Sequence, residues 1–198
     1  MVMNVLAFAA SPRKNGNTET LLDSVIEGLH SRGVETVKYR TQELGIHPCV
    51  DCGLCGKLGE CVINDSFTDL FTALKECDGI VFSSPLYFMN VPSAGKALID
   101  RCQAFWEARY MLGIDLFNGR KRKGLLIACA GSRHGPGKSD VFRGLNDTMT
   151  YFFKSLGIDN FNSLFFSGVD EKGAITGVEG ALNKAFETGV KMADELLN

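Results

Sequence analysis

No apolar run in the 198 residues approaches the 18 or so that a membrane-crossing helix requires, so no such helix is expected. The opening Met-Val-Met-Asn lacks the basic start of a secretory signal and leads straight into motif residues. The chain therefore reads as cytoplasmic. It also lacks a basic excess: 21 Lys and Arg against 23 Asp and Glu give a net charge of −2, which disfavours a nucleic-acid partner. Histidine is scarce, with three in all and no Ser-His-Asp pattern, so a catalytic triad is not on offer. Neither G-x-x-x-x-G-K-[ST] nor G-x-G-x-x-G follows the first apolar run, which disfavours nucleoside triphosphates and a dinucleotide on the usual glycine turn. No repeat, linker or low-complexity tract interrupts the chain. A hydrophobic fraction of 45% and a charged fraction of 22% exclude disorder and leave one domain over 1–198.

What is present in excess is cysteine: Cys49, Cys52, Cys55, Cys61, Cys77, Cys102 and Cys129, the first four within thirteen residues. Seven cannot pair fully within one chain, and in a cytosolic protein clustered cysteines serve more often as metal ligands or redox groups than as disulfides. Glycine is also high, 22 residues or about 11%.

Apolar runs alternate with helical spacing from end to end. Val2–Ala9, Gly79–Ser84, Leu125–Ala130 and Asn160–Phe166 read as strands, and Val34–Arg40 alternates like an edge strand. Helices are expected over Thr18–Ser31, from Phe67 to Leu74, over Ala94–Met111 with Leu98, Cys102, Phe105 and Trp106 inward, and over Lys138–Leu156. A last one is expected over Gly177–Leu197, with Leu182, Phe186, Val190 and Leu197 inward. Five strands interleaved with helices imply an α/β doubly wound parallel sheet covered on both faces.

The loop after the first strand reads Ala10-Ser11-Pro12-Arg13-Lys14-Asn15-Gly16-Asn17-Thr18. Between a buried strand and a helix start, such a loop sits where open parallel sheets collect ligands, and the helix N-terminus favours a phosphate. Ser11, Asn15, Asn17 and Thr18 bring polar donors and Arg13 a charge-assisted fork. Thr18 is equally a helix cap. A monophosphate fits this loop better than a triphosphate.

Cys49, Cys52, Cys55 and Cys61 give C-x2-C-x2-C-x5-C inside segment 45–64. The compact opening matches a ferredoxin cluster run more closely than the separated pairs of structural zinc. Zinc and redox-active thiols stay open as alternatives. Cys77, Cys102 and Cys129 fall in helix or strand patterns and read as small core residues. Arg120-Lys121-Arg122-Lys123 reads as a solvated turn, and Lys96, Asp100 and Arg101 as a helical ion-pair set.

Ser-Pro-Arg-Lys-Asn-Gly-Asn-Thr, the cysteine spacing, Ser84-Pro85-Leu86-Tyr87-Phe88, Lys96 and Asp100-Arg101 together resemble the NADPH-dependent FMN reductase and iron–sulfur flavoprotein family, with Ala10 where a glycine is usual. The resemblance implies a flavodoxin-like five-stranded sheet of order 2-1-3-4-5 with a cysteine-rich insertion after strand 2. It implies FMN on Ser11, Arg13, Asn15, Asn17 and Thr18, flanked by Pro85, Leu86, Tyr87, Phe88 and Asn90, with Gly131 and Ser132 near the ring. His134, a single loop histidine, reads as a solvated surface group sooner than as a proton donor, and no catalytic residue is assigned. It further implies a [4Fe–4S] cluster on the cysteine quartet, NAD(P)H as co-substrate, and a homodimer or homotetramer. Electrons would pass to a small-molecule or redox-protein acceptor. The alternatives are a non-catalytic electron carrier served by a ferredoxin-like donor, and a thiol- or zinc-based redox sensor.

Overall fold

The computed structural model describes residues 3–132 and 140–198. Its strands are β1 (Asn4–Ala9), β2 (Glu35–Arg40), β3 (Gly79–Pro85), β4 (Lys123–Ala130) and β5 (Phe161–Ser167). Its helices are α1 (Asn17–His30), α2 (Cys55–Leu58), α3 (Phe67–Glu76), α4 (Ser93–Arg101), α5 (Gln103–Trp106), α6 (Arg143–Ser155) and α7 (Ala181–Leu197). All strand pairs are parallel, in the order β2-β1-β3-β4-β5. This is the flavodoxin-like order expected from the sequence. Among the described residues no helix is long and apolar enough to cross a membrane.

Pleat alternation explains the two cores. Leu6, Phe8, Ile80, Phe82 and Leu126 face α3 to α6, where Phe71, Leu98, Phe105 and Phe152 meet them. Val5, Ala7, Val81, Leu125 and Ile127 face α1 and α7. The central strands are buried along nearly their whole length because both faces are covered, whereas edge strand β2 keeps Val37 and Lys38 in water. Cys77, Cys102 and Cys129 are buried in these cores, as the patterns suggest.

Three readings need correction. The helix expected over 94–111 is broken: α4 ends at Arg101, α5 follows, and Glu107–Met111 winds as a π-helical turn. Trp106 is half-buried, with its ring 4.3 Å from Tyr110 and 6.1 Å from Tyr151. On α7 the buried stripe is Ala181, Ala185, Gly189, Met192, Ala193 and Leu196, and Leu197 is exposed. The small residues face inward because α1 and α7 cross backbone to backbone. A β-carbon on Gly28 would collide with Phe186 O, and one on Gly189 with Val25 O. Finally, Arg122 is buried, donating from Nε to Cys77 O (3.0 Å) and from Nη2 to Leu74 O (2.7 Å) and Cys77 Sγ (2.6 Å). Its Nη1 bonds Leu156 O. The basic run is thus a solvated turn only in part.

Candidate functional site

The carboxyl ends of β1, β3, β4 and β5 open on one edge, and the loops leaving them enclose a cavity of about 80 Å³. That is room for a group of phosphate size, a few waters' worth of volume. Ser11, Arg13, Gly16, Asn17, Thr18, Pro85, Leu86, Tyr87 and Gly131 line it. The helix cap is Gly16 and not Thr18, and no side chain caps α1. The first intrahelical bond is Thr20 N–H to Gly16 O, so the N–H groups of Asn17, Thr18 and Glu19 have no partner within the helix. Gly16 is confined: a β-carbon there would lie 3.0 Å from Arg13 O and 3.4 Å from Ser11 Oγ. Ser11 Oγ, itself buried, accepts from Arg13 N–H (3.1 Å) and shapes the turn.

Asn17 does something the sequence does not announce. Its Nδ2 donates to Glu171 O (2.8 Å) and its Oδ1 accepts from Ile175 N–H (3.2 Å). Arg13 Nη1 donates to Asp170 O (3.1 Å). Both side chains therefore pin the loop after β5, which adds Val169, Asp170 and Lys172 to the cavity, with Cys129 from β4. The strand order itself is the signal that could have found them, since β5 ends on the ligand edge.

The Tyr87–Asn90 segment is a tight hairpin, with Tyr87 N–H bonded to Asn90 O (2.9 Å) and Asn90 N–H to Tyr87 O (3.0 Å). Phe88 and Met89 take φ of 49° and 62°, a left-handed conformation that costs bulky residues about 1–3 kcal/mol each. The Phe88 ring stands wholly in solvent, outside the cavity. Asn90 is pinned to α6 through Nδ2 and Thr148 Oγ1 (2.9 Å). Asn15 and Ser132 also lie off the cavity lining. Asn15 N–H bonds Glu19 Oε2 (2.7 Å), and Ser132 O accepts from Gly168 N–H (3.2 Å). His134 lies outside the described residues.

Glu19, in the first turn of α1 and 2% exposed, accepts from Arg40 Nη1 and pairs with Lys38 Nζ at 2.9 Å. Burial alone would raise its pKa. The bonds from Arg40, Lys38 and Asn15 N–H prevail and lower it from 4.5 to about 2. The folded value lies below the unfolded one, so the stabilisation is complete above pH 4.5 and drains away as pH falls toward 2. The gap corresponds to about 3 kcal/mol. Denaturant midpoints at pH 5 and pH 2.5 should therefore separate more in the natural chain than in Glu19→Gln. Equal separations would refute this role.

The cysteine segment lies against α4 and α5. Cys49, Cys52, Cys55 and Cys61 all line one cavity of about 170 Å³, together with Arg101, Gln103, Ala104 and Glu107. Burial first, then the Glu107 carboxylate, push the Cys55 thiol up. Among the described residues no three His, Cys, Asp or Glu side chains gather as a single metal ion would require. A tetrahedral zinc with Zn–S of about 2.3 Å draws its sulfurs together to roughly 3.8 Å. An iron–sulfur cubane instead takes each thiolate at a different corner, so what it asks for is four cysteines around one cavity. The donor set fits that demand.

Three comparisons bear on these sites. The family model described as NADPH-dependent FMN reductase matches residues 3–141. An iron-sulfur flavoprotein of Methanocaldococcus jannaschii is 32% identical over 133 residues, covering 67% of this chain and 65% of that protein. One from Archaeoglobus fulgidus is 36% identical over 131 residues, covering 66% and 64%. The matched stretch thus spans just under two thirds of the length of either relative. A NAD(P)H:quinone oxidoreductase from Methanothermobacter marburgensis superposes with a TM-score of 0.71 at 16% identity, over 97% of this chain and 98% of that one, and shares the fold.

Proposed function

This chain belongs to the NADPH-dependent FMN reductase family, and from that premise we propose that it is an FMN-dependent oxidoreductase drawing electrons from NAD(P)H. We also assign its cysteine quartet to a [4Fe–4S] cluster that hands the electrons on. The observation that carries the flavin half is the uncapped N-terminus of α1 inside a cavity that also holds Arg13 and Lys172. The N–H groups of Asn17 and Thr18, with the Ser11 hydroxyl and Arg13, would hold the phosphate of FMN. Pro85, Leu86 and Tyr87 form the apolar side on which its ring would rest, and Gly131 lets the Asp170 side chain approach the cavity wall.

FMN, when bound, supplies hydride acceptance and one-electron release, chemistry that belongs to the cofactor. What the residues contribute is position. Asn17 and Arg13 hold the loop after β5 against the loop after β1, and Thr148 of α6 anchors Asn90 in the loop after β3. Cys49, Cys52, Cys55 and Cys61 would hold the cluster, whose chemistry is transfer of single electrons. The word "iron-sulfur" in the names of the two relatives supports that half, as does the single cavity shared by the four thiols. The final acceptor is proposed to be a small molecule or a redox protein.

Anaerobically purified protein is expected to show flavin bands, broad iron–sulfur absorbance and bleaching by NADPH or NADH. Arg13→Ala should weaken FMN binding about 10- to 100-fold, the value of a charge-assisted bond of roughly 1.5–3 kcal/mol. Cys52→Ala should lose iron and keep flavin. A colourless chain that binds no FMN overturns the flavin reading. Flavin without iron removes only the cluster, and fast reduction by ferredoxin with none by either nicotinamide makes the protein an electron carrier.

A further inference from the structure

Arg101, at the C-terminal end of α4, is 1% exposed and makes five hydrogen bonds. Its Nη1 donates to His47 O (3.0 Å) and Asp65 Oδ2 (2.7 Å), and its Nη2 to Ile63 O (3.0 Å) and Asp65 Oδ1 (3.2 Å). Its Nε donates to Cys61 Sγ (3.2 Å). The guanidinium also lies over the Phe67 ring, 4.8 Å from its centre. These acceptors are not scattered. His47 stands two residues before Cys49, and Cys61, Ile63 and Asp65 close the segment on its far side. Asp65 repeats the closure by accepting from His47 N–H (2.9 Å) and Phe67 N–H (2.9 Å).

We propose that Arg101 is the positioning residue of the cysteine site: a clasp that joins both ends of the segment and aims Cys61, while its charge tunes whatever group the thiolates bind. Only a planar guanidinium can serve three directions at once, with one edge for Asp65, a corner for each carbonyl and Nε for sulfur. A ligating cysteine is a thiolate, so the Nε–H bond becomes charge-assisted when the site is loaded. A hydrogen bond to a cluster sulfur ligand, together with a fixed positive charge nearby, favours the reduced and more negative state. Cys61 follows the compact C-x2-C-x2-C run after a five-residue gap, and it is the cysteine whose place the backbone spacing determines least. That is where an external fastening matters most. The tuning half rests on the cluster reading given above. The clasp half does not.

The test uses the full chain, natural and as Arg101→Lys, with Asp65→Asn as the second variant should the first fold poorly. FMN content and the flavin spectrum serve as controls for folding. In the metal-free protein, amides of 47–65 should exchange hydrogen at least tenfold faster in either variant, while those of β1, β3 and β4 stay unchanged. In the loaded Arg101→Lys protein, which keeps the charge and loses the Nε–H bond to Cys61, the cluster's reduction potential should shift negative, whereas Asp65→Asn, which removes a carboxylate, should not shift it that way. In either variant iron should leave to a chelator about 10- to 100-fold faster, the usual effect of removing a partner that orients a metal ligand. Unchanged exchange overturns the clasp. An unchanged potential and iron-loss rate in a variant that carries full iron overturns the tuning. If the natural chain takes up no iron, the cluster reading and the tuning fall together, and the exchange rates decide the clasp on their own.

Discussion

Arg122→Met is expected to destabilise the protein by about 3–5 kcal/mol, the range for removing one partner of a buried charged network. Arg122 is the last residue before β4, at the point where the C-terminal ends of α3 and α6 converge. Helix C-termini present carbonyls without intrahelical partners and carry partial negative charge. Leu74 O and Cys77 O from α3 and Leu156 O from α6 all turn to this one guanidinium, with the Phe117 ring 4.6 Å beneath it. Burial lowers its pKa, and the carbonyl oxygens that accept from it replace the water it has lost. Methionine fills the volume and donates nothing, so the carbonyls stay dry and unpaired at about 1–3 kcal/mol each. A thermal midpoint lower by about 6–20 °C would register this. Arg122→Lys should recover part of the loss, because one ammonium cannot meet acceptors on both helices. A change within about 0.5 kcal/mol for Arg122→Met would refute the assignment.

Gly189→Ala is the second large effect, at about 3 kcal/mol, the upper end of what overpacking costs. Alanine is ordinarily the better helix residue by close to 1 kcal/mol, so propensity predicts the opposite sign. Sterics win because the obstacle is backbone: the new methyl meets Val25 O, Val25 C and Val25 Cα, none of which can rotate away. The helices must part, and the contacts of Ala185 and Met192 loosen with them. Gly28→Ala should behave alike, since its methyl meets Phe186 O and lies 2.9 Å from Val190 N. The double variant should lose clearly less than the sum, because helices already parted by one methyl have room for the other. Denaturant unfolding of the three variants measures it, and strict additivity would mean that the two glycines do not share one crossing.

These two cases show where the sequence was readable. Strands β1, β3 and β4 were legible because burial on both faces forces largely apolar runs, and the turn from Ser11 to Thr18 because proline, asparagine and glycine stand between a buried strand and a helix start. Arg122 was not, since a run of four cations looks solvated until three helix-end carbonyls are found around one of them. Arg101 pairs by spacing with nothing that reveals residues 47 and 65, which lie 54 and 36 positions away. The break after Arg101 was hidden because Leu98, Cys102 and Phe105 keep helical spacing across it, with no glycine or proline to mark the stop. The inward stripe of α7 was misread at Phe186 and Val190, which look like core, whereas a close helix crossing selects Gly and Ala; Leu182 is half-buried and does pack on the core.

Helix α4 has one further consequence. Its first residue follows the Leu86–Pro92 loop at the phosphate-edge cavity, and its last is Arg101 in the wall of the cysteine cavity. Nine helical residues measure about 13 Å. Between that loop and the cysteine cavity there thus runs a rod whose length is fixed by its own backbone hydrogen bonds.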